Sequence, residues 1–133
     1  MRVDANVVIR HIADDHPDHA PRAHRLFDAI RAGSVWVTIE DVTLAEIVWT
    51  LSSYYRMDRG NIADALLELM QPDGIISQNK AEAQLALVLF RQHNLDFADA
   101  LLAAKALAGG DKEIASFDHD FDRIPGVIRR EPA

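Results

Sequence analysis

The sequence contains no cysteine, which excludes several kinds of site at once. Thiolate catalysis, zinc–thiolate sites, iron–sulfur clusters and disulfide frameworks all require this residue. Long apolar runs are also missing, because no segment approaches the roughly 18 apolar residues of a membrane span. Residues 1–4 lack the apolar stretch of a signal peptide. We therefore expect a cytoplasmic protein that folds without disulfides and has no contact with a membrane.

Lysine is scarce as well, with 3 residues against 11 arginines, and acidic residues outnumber basic ones by 21 to 14. The net charge of −7 argues against a nucleic-acid partner, because such binding depends on Lys and Arg contacts to phosphates. The acids are mostly aspartate, with 15 Asp and 6 Glu. Aspartate favours caps, turns and strand ends, where sites are also built, so the position of each one decides what the charge means.

Short apolar runs alternate with helical patterns along the 133 residues, a common length for one domain. We expect strands near residues 1–3, 35–37, 75–76, 114–117 and 127–128. Helices are expected near 5–11, from 19 to about 32, and over 40–56, 61–70, 81–92 and 97–107. This alternation predicts a three-layer α/β domain with a mainly parallel sheet, in which ligands bind at the carboxyl ends of the strands.

Two aspartates follow predicted strands directly. Asp4 comes after the first strand, and Asp118 after the strand over residues 114–117. Asp4 also suits the N-cap of the next helix, and Asp118 suits a solvated turn. A calcium loop starting at Asp118 does not fit, because its sixth position is Arg123 instead of Gly and its twelfth is Arg129 instead of Glu. Both strand ends stay candidate sites.

Glu46 lies in the most apolar helix of the chain. None of its neighbours three and four positions away is cationic: Val42, Thr43, Trp49 and Thr50. We expect a buried carboxylate here, which is costly without a partner. An arginine from elsewhere in the fold and a metal ion are both suitable partners.

Asp96 and Asp99 are three residues apart and therefore share one helix face. An Asp at the N-cap with an acid at the third helical position accounts for such a pair through the helix dipole. That explanation suits Asp96 better than Asp99, since a long Ala/Leu stretch that we expect to be buried follows Asp99 at once.

Acids placed in this way need a counter-charge. Carboxylates gathered without cations raise one another's pKa unless a divalent ion compensates them. Because cysteine is absent, oxygen ligands favour Mg²⁺ or Mn²⁺ over zinc. Four histidines that lack a zinc-hydrolase motif are expected at the surface: His11, His16, His19 and His24.

Four stretches surround these acids: VDANVV from Val3, TLAE ending at Glu46, DFADALLAA from Asp96 and SFDHDF from Ser116. In this order they resemble the motifs of PIN-domain ribonucleases, most closely the VapC-type toxins of bacterial toxin–antitoxin pairs. The resemblance covers almost the whole chain, and the third stretch is its most specific part. One departure is Arg2, which interrupts the apolar residues that usually precede the first Asp.

The resemblance implies a fold, a site and an activity. The fold is a three-layer α/β/α sandwich with about five mainly parallel strands, in a single domain over residues 1–133. The metal-binding and catalytic positions match Asp4, Glu46, Asp99 and Asp118. The accessory polar positions match Asn6, Asp96, Ser116 and Asp120. The implied activity is an endoribonuclease that uses one or two Mg²⁺ or Mn²⁺ ions to hydrolyse RNA phosphodiester bonds.

The resemblance also implies partners: an RNA substrate, a second copy of the chain in a homodimer, and a cognate antitoxin that blocks the site. RNA contacts would depend on arginine, whose guanidinium suits phosphate oxygens. The candidates are Arg10, Arg22, Arg25, Arg56 and Arg59. Protein partners would use apolar side chains that the core leaves exposed, although we expect the core to take most of these: Trp49, Tyr54, Tyr55, Leu66, Leu67 and Leu69.

Other acid-rich α/β classes fit less well. A phosphatase of the haloacid-dehalogenase class needs a second Asp where Asn6 stands, and a receiver domain needs a lysine at a strand end, whereas Lys112 precedes its strand. No Gly-rich nucleotide loop is present. A PIN-like scaffold with weak catalysis, acting mainly as a protein- or RNA-binding module, stays open as the alternative. Cleavage that is sensitive to EDTA discriminates between the two.

Overall fold

The computed structural model describes residues 1–133, and its elements alternate in the predicted order. The helices are α1 (Ala5–Ala13), α2 (His19–Arg31), α3 (Asp41–Ser53), α4 (Arg59–Leu69), α5 (Lys80–Gln92) and α6 (Phe97–Ala108). The strands are β1 (Val37–Thr38), β2 (Ile75–Ile76), β3 (Glu113–Ala115) and β4 (Ile128–Arg130), and a 3-10 helix covers His119–Arg123. Every predicted helix is present, with its ends within three residues of the expected positions.

The chain divides into two compact units, Met1–Lys80 and Ala81–Ala133. In the first unit, α1 packs against α2 and α3, and α3 packs against α4. Strands β1 and β2 pair in parallel, with Val37 opposite Ile75. Arg2 adds a parallel bridge to Thr38, so the predicted first strand is reduced to a single pairing.

Apolar side chains from every helix of the first unit fill its most deeply buried positions, and α1 contributes Val8, which is 0% exposed. Below 2% exposure lie Ile30, Ile39, Leu44, Ile47, Leu51, Ile62, Leu66, Met70 and Ile75. The turn before β2 is equally tight, since a Cβ at Gly74 would lie 2.9 Å from the carbonyl oxygen of Val35. Glycine is therefore required at position 74, where the turn packs against Val35, two residues before β1.

In the second unit, β3 and β4 pair in parallel, β3 packs against α6, and β4 packs against the 3-10 helix. Ile114 is the buried residue of β3, and the residues on either side of it are exposed. The buried face of α6 is made of small residues, Ala100, Ala103 and Ala104, together with Phe97. These small side chains allow close packing around the start of α6, where the candidate acids lie.

These elements confirm the α/β class and the parallel pairing of strands. The pairings extend over two short sheets and a bridge, so the sandwich with about five strands stays a prediction, as does the single domain over residues 1–133. None of the helices has the length and apolar character needed to cross a bilayer.

Candidate functional site

Two aspartates begin α6 in the second unit. Asp96 occupies the N-cap position with extended backbone, and Asp99 lies in the first helical turn. The side chain of Asp96 accepts no capping hydrogen bond, so the helix backbone does not use this carboxylate. Asp96 is exposed and Asp99 is half-buried. The helix end therefore presents two acids whose oxygens are not committed to the backbone.

The Ala/Leu stretch after Asp99, which we expected to be buried, is buried in part, since Leu102 is exposed. The buried face of α6 is formed by Ala100, Ala103 and Ala104, and Asp99 lies at its margin. A half-buried position is more useful for chemistry, because the carboxylate is partly desolvated and still reachable.

The charge environment of Asp99 is uniformly negative. Burial raises the pKa of Asp99, and the carboxylates of Asp96, Asp118 and Asp120 raise it further. The second unit therefore brings together the candidate acids of its two motifs. This is the situation in which a carboxylate gains most from a nearby cation.

Asp118 belongs to a turn and not to a strand end. Strand β3 ends at Ala115, two residues earlier than predicted, where its pairing with β4 ends. The backbone N–H of Asp118 donates to the Ser116 hydroxyl oxygen at 2.9 Å, and an Asp118 carboxylate oxygen accepts from the N–H of Asp120 at 2.9 Å. Ser116 and Asp120 thereby orient Asp118, which is exposed.

Two arginines that our sequence-based reasoning did not assign to the site hold this turn. Arg123 pairs with Asp120 one helical turn earlier. Arg129, with only 11% of its side chain exposed, donates to the Ser116 carbonyl at 3.0 Å and to Asp122 at 3.0 Å. Hydrogen bonds from Arg129 and His119 hold the pKa of Asp122 below its usual range. The spacing of Asp120 and Arg123 could have indicated their pair, whereas the reach of Arg129 across the turn depends on tertiary structure.

The first unit carries Asp4, Asn6 and Glu46. Asp4 occupies the N-cap position of α1, yet its side chain makes no capping hydrogen bond and is exposed. Its position is fixed by the pairing next to it, where the N–H of Val3 donates to the carbonyl of Thr38 at 3.0 Å. Asn6 is exposed in the first turn of α1. Helix capping, the structural role that the sequence suggested for the Asp4 side chain, is therefore not what this carboxylate does.

Glu46 is exposed, so the predicted buried carboxylate is wrong. Its apolar neighbours on the same helix face are themselves at the surface, with Val42 77% and Trp49 68% exposed. The core face of α3 is formed instead by Leu44, Ile47, Val48 and Leu51. The sequence around Glu46 is apolar because α3 carries apolar residues on both of its faces. Since the Glu46 carboxylate is exposed, it does not need a buried partner.

Of the four histidines that we expected at the surface, His19 is exposed, whereas His11, His16 and His24 are half-buried. His16 and His19 stack on each other with ring centroids 4.0 Å apart, and His16 accepts the backbone N–H of His19 at 2.9 Å. His11 and His24 are half-buried, with their Nδ1 atoms 2.7 Å apart. His16 therefore serves local structure, and the other two histidines form a pair between α1 and α2.

The donor set around Asp99 suits a hard divalent cation in ligand type, since it consists of carboxylate oxygens. The raised pKa of Asp99 is the effect that such a cation would reverse. The side chains are not arranged as a complete ligand set, because no group of three or more His, Asp or Glu residues is positioned to hold a metal ion. The acids around Asp99 thus suit a divalent cation in ligand type and charge, and their geometry is not that of a complete metal site.

Comparison with known proteins gives one match and one negative result. The family model of the PIN domain matches residues 1–127, which is nearly the whole chain. A search of curated proteins finds no match. The matched range includes every candidate acid from Asp4 to Asp120. With this match added to the α/β fold and the carboxylate cluster, the chain belongs to the PIN domain family.

Proposed function

We propose that this protein is a Mg²⁺- or Mn²⁺-dependent endoribonuclease that acts as the toxin of a toxin–antitoxin pair. PIN domains are generally metal-dependent nucleases, so nuclease activity in general follows from the family. The finer proposal adds RNA as the substrate, and four carboxylates as metal-binding and catalytic residues: Asp4, Glu46, Asp99 and Asp118.

The environment of Asp99 is the observation that carries this proposal. Three further acids raise its pKa, and Asp99 has no ion pair to a cationic side chain of the protein. Carboxylates in such an environment repel one another, and a bound cation relieves that repulsion. Metal-ion binding is the function that uses this environment directly.

The chemistry follows from the residue types. Bound Mg²⁺ or Mn²⁺ supplies charge that polarises a scissile phosphate and lowers the pKa of a bound water. Asp99 and Asp118 of the second unit would hold the ion, and the resemblance assigns metal-binding positions to Asp4 and Glu46 of the first unit as well. Ser116 and Arg129 hold the turn of Asp118 in place through the hydrogen bonds described above. Asn6 offers an amide that donates and accepts hydrogen bonds beside Asp4.

We extend the proposal to partners and fold. The exposed apolar side chains of α3 and its C-terminal end, Val42, Trp49 and Tyr54, support contacts with a second copy of the chain or with an antitoxin. The resemblance to VapC-type toxins supports both partners, a sheet of about five strands and a cytoplasmic location.

Mapping of RNA ends in cells tests this function. A pulse of expression of the wild-type chain should create new RNA ends at defined positions, and Asp99→Asn should create none of them. Expression together with the small protein encoded next to this chain in its native operon should suppress the new ends. New ends that persist with Asp99→Asn would contradict the site, and ends that the neighbouring protein leaves unchanged would contradict the toxin role.

A further inference from the structure

A cleft of about 490 Å³ lies in the first unit, between α1 and α2. The residues of α1 that line it are Asn6, Val7 and Arg10, and those of α2 are His19, Arg22, Ala23 and Leu26. Asn6 and Arg10 are four positions apart on one helix face, as are Arg22 and Leu26 on the other helix. Each helix thus gives one wall.

The polar groups of this cleft are unusual for so acidic a chain. No Asp or Glu lines the cleft, although the chain has 21 of them, and its lining includes Arg10, Arg22, His19 and Asn6. Arginine is a donor without any acceptor, and the amide of Asn6 also donates. Val7, Ala23 and Leu26 supply an apolar floor. A ligand that fits here carries acceptor oxygens and negative charge.

Two acids near the cleft pair with its arginines without lining it. Arg10 lies 3.7 Å from Asp15, and Arg22 lies 3.3 Å from Asp18. Exposed pairs of this length contribute little to stability, and each guanidinium keeps further N–H groups for a second acceptor. The pairs therefore orient the arginines without neutralising them for a ligand.

The cleft begins next to a proposed catalytic residue. Asn6 follows Asp4 by two positions, and Arg10 follows Asp4 by six, which is about 9 Å along a helix axis. A strand of a few nucleotides bridges that separation. Among the arginines of α2, Arg25 does not line the cleft, so the structure separates arginines that the sequence could not.

From these observations we infer that the cleft lined by Asn6, Arg10 and Arg22 binds the phosphate backbone of single-stranded RNA beside the scissile position. The inference rests on the proposed ribonuclease function and adds the path of the substrate over the first unit. Arg10 and Arg22 contact phosphate oxygens, and the apolar floor contacts the sugars. Binding of this kind carries charge dependence and no base specificity.

Salt-dependent binding of a labelled single-stranded RNA oligonucleotide tests the inference, measured by fluorescence anisotropy in EDTA so that the RNA is not cleaved. Arg10→Gln and Arg22→Gln should each weaken binding about five- to tenfold. Each should also lower the slope of log K against log salt by about 0.7, the value for one phosphate contact on a single strand. Arg25→Gln, on the same helix outside the cleft, is the matched control and should match wild type in both measures.

Equal losses for Arg25→Gln and Arg22→Gln would overturn the inference, because they would indicate diffuse attraction. If Arg10→Gln and Arg22→Gln both bind RNA with wild-type affinity and slope, the inference is also overturned, and a protein segment becomes the better candidate ligand of the cleft. Circular dichroism melting identifies a variant that fails to fold. If Arg22→Gln fails to fold, Arg22→Lys replaces it; this variant keeps the charge and should retain the wild-type slope of log K against log salt. Mg²⁺-dependent cleavage separates the cleft inference from the proposed ribonuclease function. If wild type cleaves RNA and Asp99→Asn does not, cleft variants that bind RNA like wild type refute only the role of the cleft.

Discussion

At the scale of the single residue, His11 illustrates how burial and a neighbour set a protonation state. The ring of His11 stacks on Phe27 with centroids 4.4 Å apart, and its Nδ1 lies 2.7 Å from that of His24. His24 in turn lies 2.7 Å from an Asp14 oxygen through its Nε2. Burial and then His24 lower the pKa of His11. The neutral ring is therefore the form that the fold favours.

Stability should consequently depend on pH through His11. Its folded pKa lies below the unfolded value of 6.5, so the unfolded chain binds more protons and stability falls as pH drops from 6.5 towards the folded pKa. Other charged groups facing His11 act in both directions, since Arg31 lowers its pKa and Asp28 and Asp14 raise it. Urea unfolding at pH 7.5 and pH 5 should show a larger loss for wild type than for His11→Gln.

His93→Gln, in the second unit, is the control for this pH effect and should keep the wild-type dependence. An unchanged pH dependence in His11→Gln would show that another group carries it.

The candidate acids differ in how far the sequence could specify them. Asp96 and Asp99 could be placed on one helix face, because a spacing of three residues does so in any helix. The exposure of Glu46 could not be predicted, because it depends on which face of α3 the other helices of the first unit cover. The turn of Asp118 also depends on Arg129, which reaches it from β4.

At the scale of the element, α4 shows how one helix face is chosen. Leu66 is fully buried and Leu69 is 9% exposed, whereas Leu67 is only half-buried. Since α4 packs against α3, the buried positions are those that face this neighbour and the core of the first unit. The sequence alone did not separate these three leucines.

Truncation of these leucines should therefore have unequal effects. Leu66→Ala leaves a cavity in a packed core and should lower the free energy of unfolding by about 2–5 kcal/mol. Leu67→Ala, next to it on the same helix, should cost about 1 kcal/mol or less, because water can occupy the vacated space. Chemical denaturation of both variants measures the difference. Equal losses would contradict the assignment of the α4 core face.

Helices were predictable and strands only partly, for a physical reason. A helix of 9–13 residues carries several turns of apolar periodicity, as in α2 and α5. The strands contain only two or three residues, so their limits depend on pairing partners distant in the chain. The same reason explains why the first strand is a single bridge at Arg2.

At the scale of the whole molecule, the net charge of −7 conceals an uneven distribution. The second unit gathers Asp96, Asp99, Asp118 and Asp120 into one negative environment. The first unit contains a cleft lined by arginine and free of acids. An acidic chain can therefore act on an anionic polymer, provided that a cation neutralises the acids and the arginines bind the phosphates.

The measurement that tests the central claim most directly is cleavage of a single-stranded RNA by the purified protein. Wild type should cleave in Mg²⁺ and stop in EDTA, and Asp99→Asn should be slower by about a hundredfold or more, because a metal-binding carboxylate is removed. Asp73→Asn, an exposed acid in a turn of the first unit, should stay within about twofold of wild type. A folded Asp99→Asn protein that cleaves as fast as wild type would contradict the account and favour a PIN-like scaffold.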